Sequence, residues 1–166
     1  MTSHNNTIII KLLNDAIKLE HSAWYFYNYV SSIFYKYAYK HLSKKFQNEA
    51  SEELEHAQKV IKFMNQLNYH VEFFQIDNIS VDLYSSNQLI IKVFEHAVVL
   101  EITVLDHYKK IKYEAEKINN FEISNFVDEF IELQIGEIKN FKDNLENAKR
   151  CCDTQLGEFI FDNSFK

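Results

Sequence analysis

The sequence predicts an all-α fold, a bundle of four helices arranged as two hairpins and joined by one long crossover. Three observations carry this. Four long segments repeat apolar residues at i, i+3, i+4 and i+7, the period of one helix face. The chain of 166 residues has no Pro and only two Gly, Gly136 and Gly157. Sandwiches and barrels need far more turn residues than that. A stretch without helical period, Tyr69 to Gln88, separates the second segment from the third. At this length the chain is expected to form a single domain over residues 1–166.

The first helix is expected from about Thr7 to the Tyr35 region. Its stripe reads Leu13, Ala16, Ile17, Ala23, Trp24, Tyr27, Val30 and Phe34. The break that follows, within Tyr35 to His41, has no Gly or Pro. It is placed by helix length and by Ser43, a candidate cap. The second helix runs from about Leu42 to Asn68, with Phe46, Ala50, Ala57, Val60, Phe63, Met64 and Leu67 on its stripe. The aperiodic stretch comes next, and a loop this long needs a reason. A helix of about 28 residues is roughly 42 Å long, and about 17 extended residues reach up to about 55 Å. The connection can therefore run the length of a bundle and leave the second and third helices parallel. The third helix runs from about Leu89 to Lys117, with Phe94, Ala97, Val98, Val104, Leu105 and Tyr108. The fourth runs from about Ser124, a candidate N-cap, to Lys149, with Val127, Phe130, Ile131, Ile138, Phe141 and Leu145. Gly157 is expected to break the helix, leaving a short aromatic tail, Glu158 to Lys166, that needs a surface to pack on.

Composition narrows the function. The net charge of −6 argues against a nucleic-acid partner and is compatible with cations as ligands. No stretch approaches the roughly 18 apolar residues of a membrane span. The start, MTSHNNTIIIKLLND, has neither a basic leader nor a small-residue cleavage site. The only cysteines, Cys151 and Cys152, are adjacent and read as ordinary helix-end residues. A cytoplasmic location is expected.

Each stripe carries polar residues among its apolar ones: Glu20, Glu53 with His56, Glu101, and Gln134 with Glu137. Around Glu101, the i±3 and i±4 positions are Ala97, Val98, Val104 and Leu105. A buried carboxylate is costly unless paired, protonated or metal-bound. One Glu-x-x-His alone would read as a solvated helix face. Four helices doing this together point to a common centre holding divalent cations with oxygen and imidazole ligands. Tyr27 shares the face of Glu20 and on its own would be plain core. Glu52 and Glu55 read as solvated. His4, His21, His41, His70, His96 and His107 lie off the stripes and read as surface residues.

These motifs are similar to those of the ferritins, the bacterial non-haem ferritins in particular. The carrying segments are LEHSAWYFY (Leu19 to Tyr27), EELEHAQ (Glu52 to Gln58), Glu101 in VVLEITVLDHY, and LQIGEIKNFK (Leu133 to Lys142). Glu20 to Glu53 and Glu101 to Gln134 both span 33 residues, as in that family. The resemblance implies a ferritin-like four-helix bundle with a short fifth C-terminal helix. It implies a di-iron ferroxidase centre. Glu20, Glu53 and His56 would hold the first iron. Glu53 would bridge to the second, held also by Glu101 with Gln134 beside it. Tyr27 would hydrogen-bond at its edge and could supply an electron. Glu52 and Glu137 match an auxiliary third iron site, weakened here because Leu133 and Gly136 stand where carboxylates are common. Leu54 occupies the place of the haem-binding Met of bacterioferritins, so no haem is expected. The implied activity is oxidation of Fe(II) by oxygen or hydrogen peroxide, and storage of ferric mineral in a homo-oligomeric cage of 24 subunits. Tyr25, Tyr29, Phe73 and Phe74 could serve its interfaces, and the tail would pack near the four-fold axis. The alternative is a di-iron oxidase or peroxide-scavenging bundle that stores nothing.

Overall fold

The computed structural model describes residues 2–79, 82–83 and 88–166, with side chains from residue 6 onward. Among the described residues five helices follow in order: α1 (Thr2–Lys36), α2 (Lys40–Gln66), α3 (Leu89–Lys117), α4 (Phe121–Cys151) and α5 (Gln155–Asn163). The bounds of α3 are those expected. α1 starts earlier, and α4 is longer at both ends. No helix among the described residues is long and apolar enough to cross a membrane.

A chain so poor in glycine ends its helices by another route. Ala38, Asn68 and Asn119 adopt positive φ of 66°, 54° and 55°. In each case the next residue donates to the carbonyl five positions back: Tyr39 N to Phe34 O, Tyr69 N to Met64 O, and Asn120 N to Ala115 O, all at 2.9 Å. This is the Schellman turn, usually closed by Gly. Asn tolerates the left-handed region well; Ala38 bears a cost there.

Three expected helix signals are corrected. Ser43 does not cap α2. It lies inside that helix, where its hydroxyl donates to Ser31 O (2.9 Å) and its own carbonyl accepts from the Ser31 hydroxyl (2.8 Å). The N-cap residue Tyr39 makes no side-chain cap. The buried carboxylate of Asp162, in α5, accepts from His41 N (3.1 Å) and Leu42 N (2.8 Å) instead. Ser124 sits in the first turn of α4, and Asn120 is the cap, accepting from Ile123 N at 3.1 Å. Gly157 does not break a helix. It lies in α5, whose cap Thr154 accepts from Gly157 N at 3.0 Å. A Cβ on Gly157 would lie 1.6 Å from the Cys151 carbonyl oxygen, so the tight α4–α5 corner requires glycine.

α1 packs on α2, α3 on α4, and α1 against α3; α5 packs on α4 and α2. The core is two apolar clusters. One gathers Ile9–Ile17 of α1, Val60 and Met64 of α2, Val104–Ala115 of α3 and Ile123–Phe130 of α4. The other gathers Ala23–Phe34 of α1, Leu42–Ala50 of α2, Leu89–Ala97 of α3, Phe141–Ala148 of α4 and Phe161 of α5. α1 and α4 thus enter the first cluster before the second, and α2 and α3 do the reverse. The second and third helices are parallel. The crossover accordingly travels the bundle's length: Tyr69 and Val71 pack on the first cluster, Ile79 and Leu83 on the second. Asn14 holds its start, donating to His70 O (3.0 Å) and accepting from Glu72 N (2.7 Å).

Candidate metal centre

On every helix the gap between the two clusters falls at the polar positions of the stripe. Glu20, Glu101 and Gln134 are fully buried there, with Glu53 and His56 almost so; Glu137 is half-buried. Glu53 and His56 are one helical turn apart, so their side chains meet, His56 Nδ1 lying 3.3 Å from Glu53 Oε2. Ligand atoms of Glu20, Glu53 and His56 lie within 4.8 Å of one another, and so do those of Glu53, Glu101 and Glu137. Glu53 belongs to both groups.

Hydrogen bonding leaves this layer incomplete. Tyr27 donates to Glu101 Oε1, and Tyr108 donates to Glu20 Oε1 at 2.5 Å. Glu20 Oε2, Glu101 Oε2, Glu137 Oε2 and both amide atoms of Gln134 are buried without a partner among the described residues. Buried polar atoms are rarely left so. The proton affinities respond. Burial first, then the Glu53 charge, raises Glu20 well above the usual carboxylate range. Burial, then Glu101, does the same to Glu53. Glu101 is lifted to about 7 by burial, against the hydrogen bond from Tyr27. Glu137 is lifted to about 9 by burial and by the charges of Glu101 and Glu20. Without a cation these carboxyls hold their protons, because burial and mutual repulsion disfavour the ionised forms. Orphaned oxygens, one imidazole and mutual repulsion are what a pair of hard or borderline cations relieves.

Residues 10–151 match the family model of the ferritin-like domain. The chain belongs to the ferritin family. A ferritin from Pacifastacus leniusculus is 28% identical over 98% of this chain and 90% of its own length. The bacterial non-haem ferritin of Staphylococcus aureus (strain USA300) is 21% identical over 93% and 90%. Among solved structures, an open-pore ferritin from the hyperthermophilic archaeon Archaeoglobus fulgidus superimposes with a TM-score of 0.86 at 21% identity, covering 95% of this chain and 94% of that one.

Within this ferritin fold, Glu20, Glu53, His56, Glu101, Gln134 and Tyr27 converge on one layer. Glu137 joins Glu53 and Glu101 there. Glu52 points elsewhere: it is exposed and lines a groove of about 640 Å³ with Lys45, Glu49 and Asn140. Leu133 and Gly136 are exposed. The reading of the other histidines as surface residues is corrected in part. His70 and His96 are exposed, but His21, His41 and His107 are half-buried, and His107 Nε2 lies 2.8 Å from Leu12 O. The side chain of His4 lies outside those described. Cys151 and Cys152 stand at the end of α4, as expected. Sequence reasoning missed Tyr108, taken as plain core. The signal was present: Tyr108 follows Glu101 by seven residues, as Tyr27 follows Glu20.

Proposed function

We propose that this ferritin-family chain stores iron and oxidises Fe(II) at the buried layer. The carrying observation is that two ligand groups share Glu53, so two Fe(II) substrates can bind side by side. Glu20, Glu53 and His56 take one ion. Glu53, Glu101 and Glu137 take the other, with the Gln134 amide beside it. Membership of the ferritin family, with relatives named ferritin and bacterial non-haem ferritin, supports storage as the outcome.

The residues supply geometry and protons. Carboxyls held protonated by burial must release their protons as cations enter, so binding tightens as pH rises. Each Fe(II) gives up one electron. The pair reduces oxygen to hydrogen peroxide, or hydrogen peroxide to water, with two protons taken up. Tyr27 keeps Glu101 oriented by donating to its Oε1. Gln134, a neutral amide, adds no charge beside the second ion. Glu52 lines the neighbouring groove and belongs to neither ligand group of the layer.

Assembly into a 24-subunit cage is part of the same proposal. α5 leaves Leu156, Phe159 and Ile160 exposed, and Tyr25, Phe73 and Phe74 are exposed elsewhere, while Tyr29 packs on the core. Exposed apolar groups of this kind suit contacts between copies. The deciding experiment is aerobic Fe(II) addition with optical monitoring, for wild type and Glu53→Ala. The variant should lose the fast phase; equal rates would remove the ferroxidase assignment. Ferric loading separates the readings of the centre. Many ions per chain mean storage, and about two mean a di-iron oxidase. Sedimentation as monomers or dimers would overturn the cage.

A further inference from the structure

We propose that Tyr108 is a positioning residue of the metal centre, holding Glu20 for one ion as Tyr27 holds Glu101 for the other. The inference rests on the two-ion reading above. Tyr27 and Tyr108 are both fully buried. Each follows a centre glutamate by seven residues on its own helix, yet donates to the glutamate of the other helix. Tyr27 of α1 reaches Glu101 of α3, and Tyr108 of α3 reaches Glu20 of α1. The two tyrosines approach from opposite sides of the polar layer, since Tyr27 belongs to one apolar cluster and Tyr108 to the other. The α1–α3 pair thus has an approximate two-fold arrangement about the centre.

The consequence is the same at both ends. Each glutamate has Oε1 occupied by a phenol and Oε2 buried without a partner. One oxygen is fixed and the other is left for a cation. A hydrogen bond to the carboxylate also favours its ionised form, the form a metal needs. The phenol of Tyr108 is itself held in place, its ring stacked on Phe130 at 4.6 Å between centroids and 21° between planes. A tyrosine that merely satisfies its own hydroxyl would affect stability when replaced by Phe, but would not single out one metal position.

Co(II) titration of the metal-free protein, followed by visible absorption and calorimetry, separates these cases. Wild type should bind two Co(II) per chain, and His56→Ala identifies which step belongs to the Glu20 group. Tyr108→Phe keeps the stacked ring and removes only the hydroxyl. It should weaken that same step about 10- to 100-fold, the usual loss for an outer partner of a ligand, and leave the other step unchanged. Tyr27→Phe should do the reverse. An isotherm for Tyr108→Phe that overlays wild type, or equal loss at both steps, overturns the inference while the two-ion reading stands. Wild type taking up no Co(II) overturns both.

Discussion

Replacing Glu101 by Gln should stabilise the metal-free protein, increasingly so as pH rises. Burial lifts the Glu101 carboxyl from 4.5 to about 7. An unfolded chain loses this proton near pH 4.5, whereas the folded chain keeps it until about 7. The folded state therefore binds more protons across that interval. The stability contributed by the retained proton is complete below pH 4.5 and is lost as pH climbs through 7. The interval corresponds to about 3 kcal/mol at about 1.4 kcal/mol for each pH unit. The group is deeply buried, so solvent screening subtracts little. Gln has the same shape, never ionises, and can still accept from the Tyr27 hydroxyl through its amide oxygen. Removing one charge also eases the ionisation of Glu53 and Glu137, which Glu101 raises. Urea unfolding in the presence of a chelator, followed by the fluorescence of Trp24, reads the effect. At pH 4 the two proteins should unfold together. At pH 8 the variant should be more stable by about 3 kcal/mol. Adding a divalent cation should then favour wild type, because the ion binds its folded state more tightly. Parallel pH profiles for the two metal-free proteins would refute the reasoning.

Asp162→Ala removes the acceptor for two backbone N–H groups at the start of α2. It should cost about 1–2 kcal/mol, read as a lower unfolding midpoint, and an unchanged midpoint would mean that water caps this end equally well. Ala38→Gly relieves the left-handed turn between α1 and α2 and should stabilise by about 1 kcal/mol in thermal melts. Gly136→Ala should also stabilise, by about 1 kcal/mol, because the position is exposed in the interior of α4 and an added Cβ meets nothing within 4 Å. Gly157→Ala should do the opposite. Its Cβ would strike the Cys151 carbonyl, so α5 should become sensitive to proteolysis while α1–α4 retain their helical circular dichroism.

Much of the fold was legible because each helix stripe is a local pattern. Residues three and four apart share a face whatever the rest of the chain does, so Glu20, Glu53, His56, Glu101 and Gln134 could be read as core-facing before any packing was known. The length of the aperiodic stretch bounded the crossover in the same way. Helix ends were less legible. Ser43 and Ser124 are good caps by type, but Asp162 and Asn120 hold those places. Asp162 reaches α2 from 120 residues further along the chain, and no local rule can find it. Cross-helix donation from Tyr27 to Glu101 and from Tyr108 to Glu20 spans 74 and 88 residues.

By itself, then, the sequence determined which residues face inward and that four helices each bring a polar group to the same level. Side-chain period and helix length suffice for that. Tertiary packing alone decided which groups come within reach of one another, drawing Glu137 towards Glu53 and Glu101 and leaving Glu52 at the surface. It also decided the charge states. A carboxyl's proton affinity depends on the water it has lost and on the charges brought beside it, and both come into being only when the four helices close.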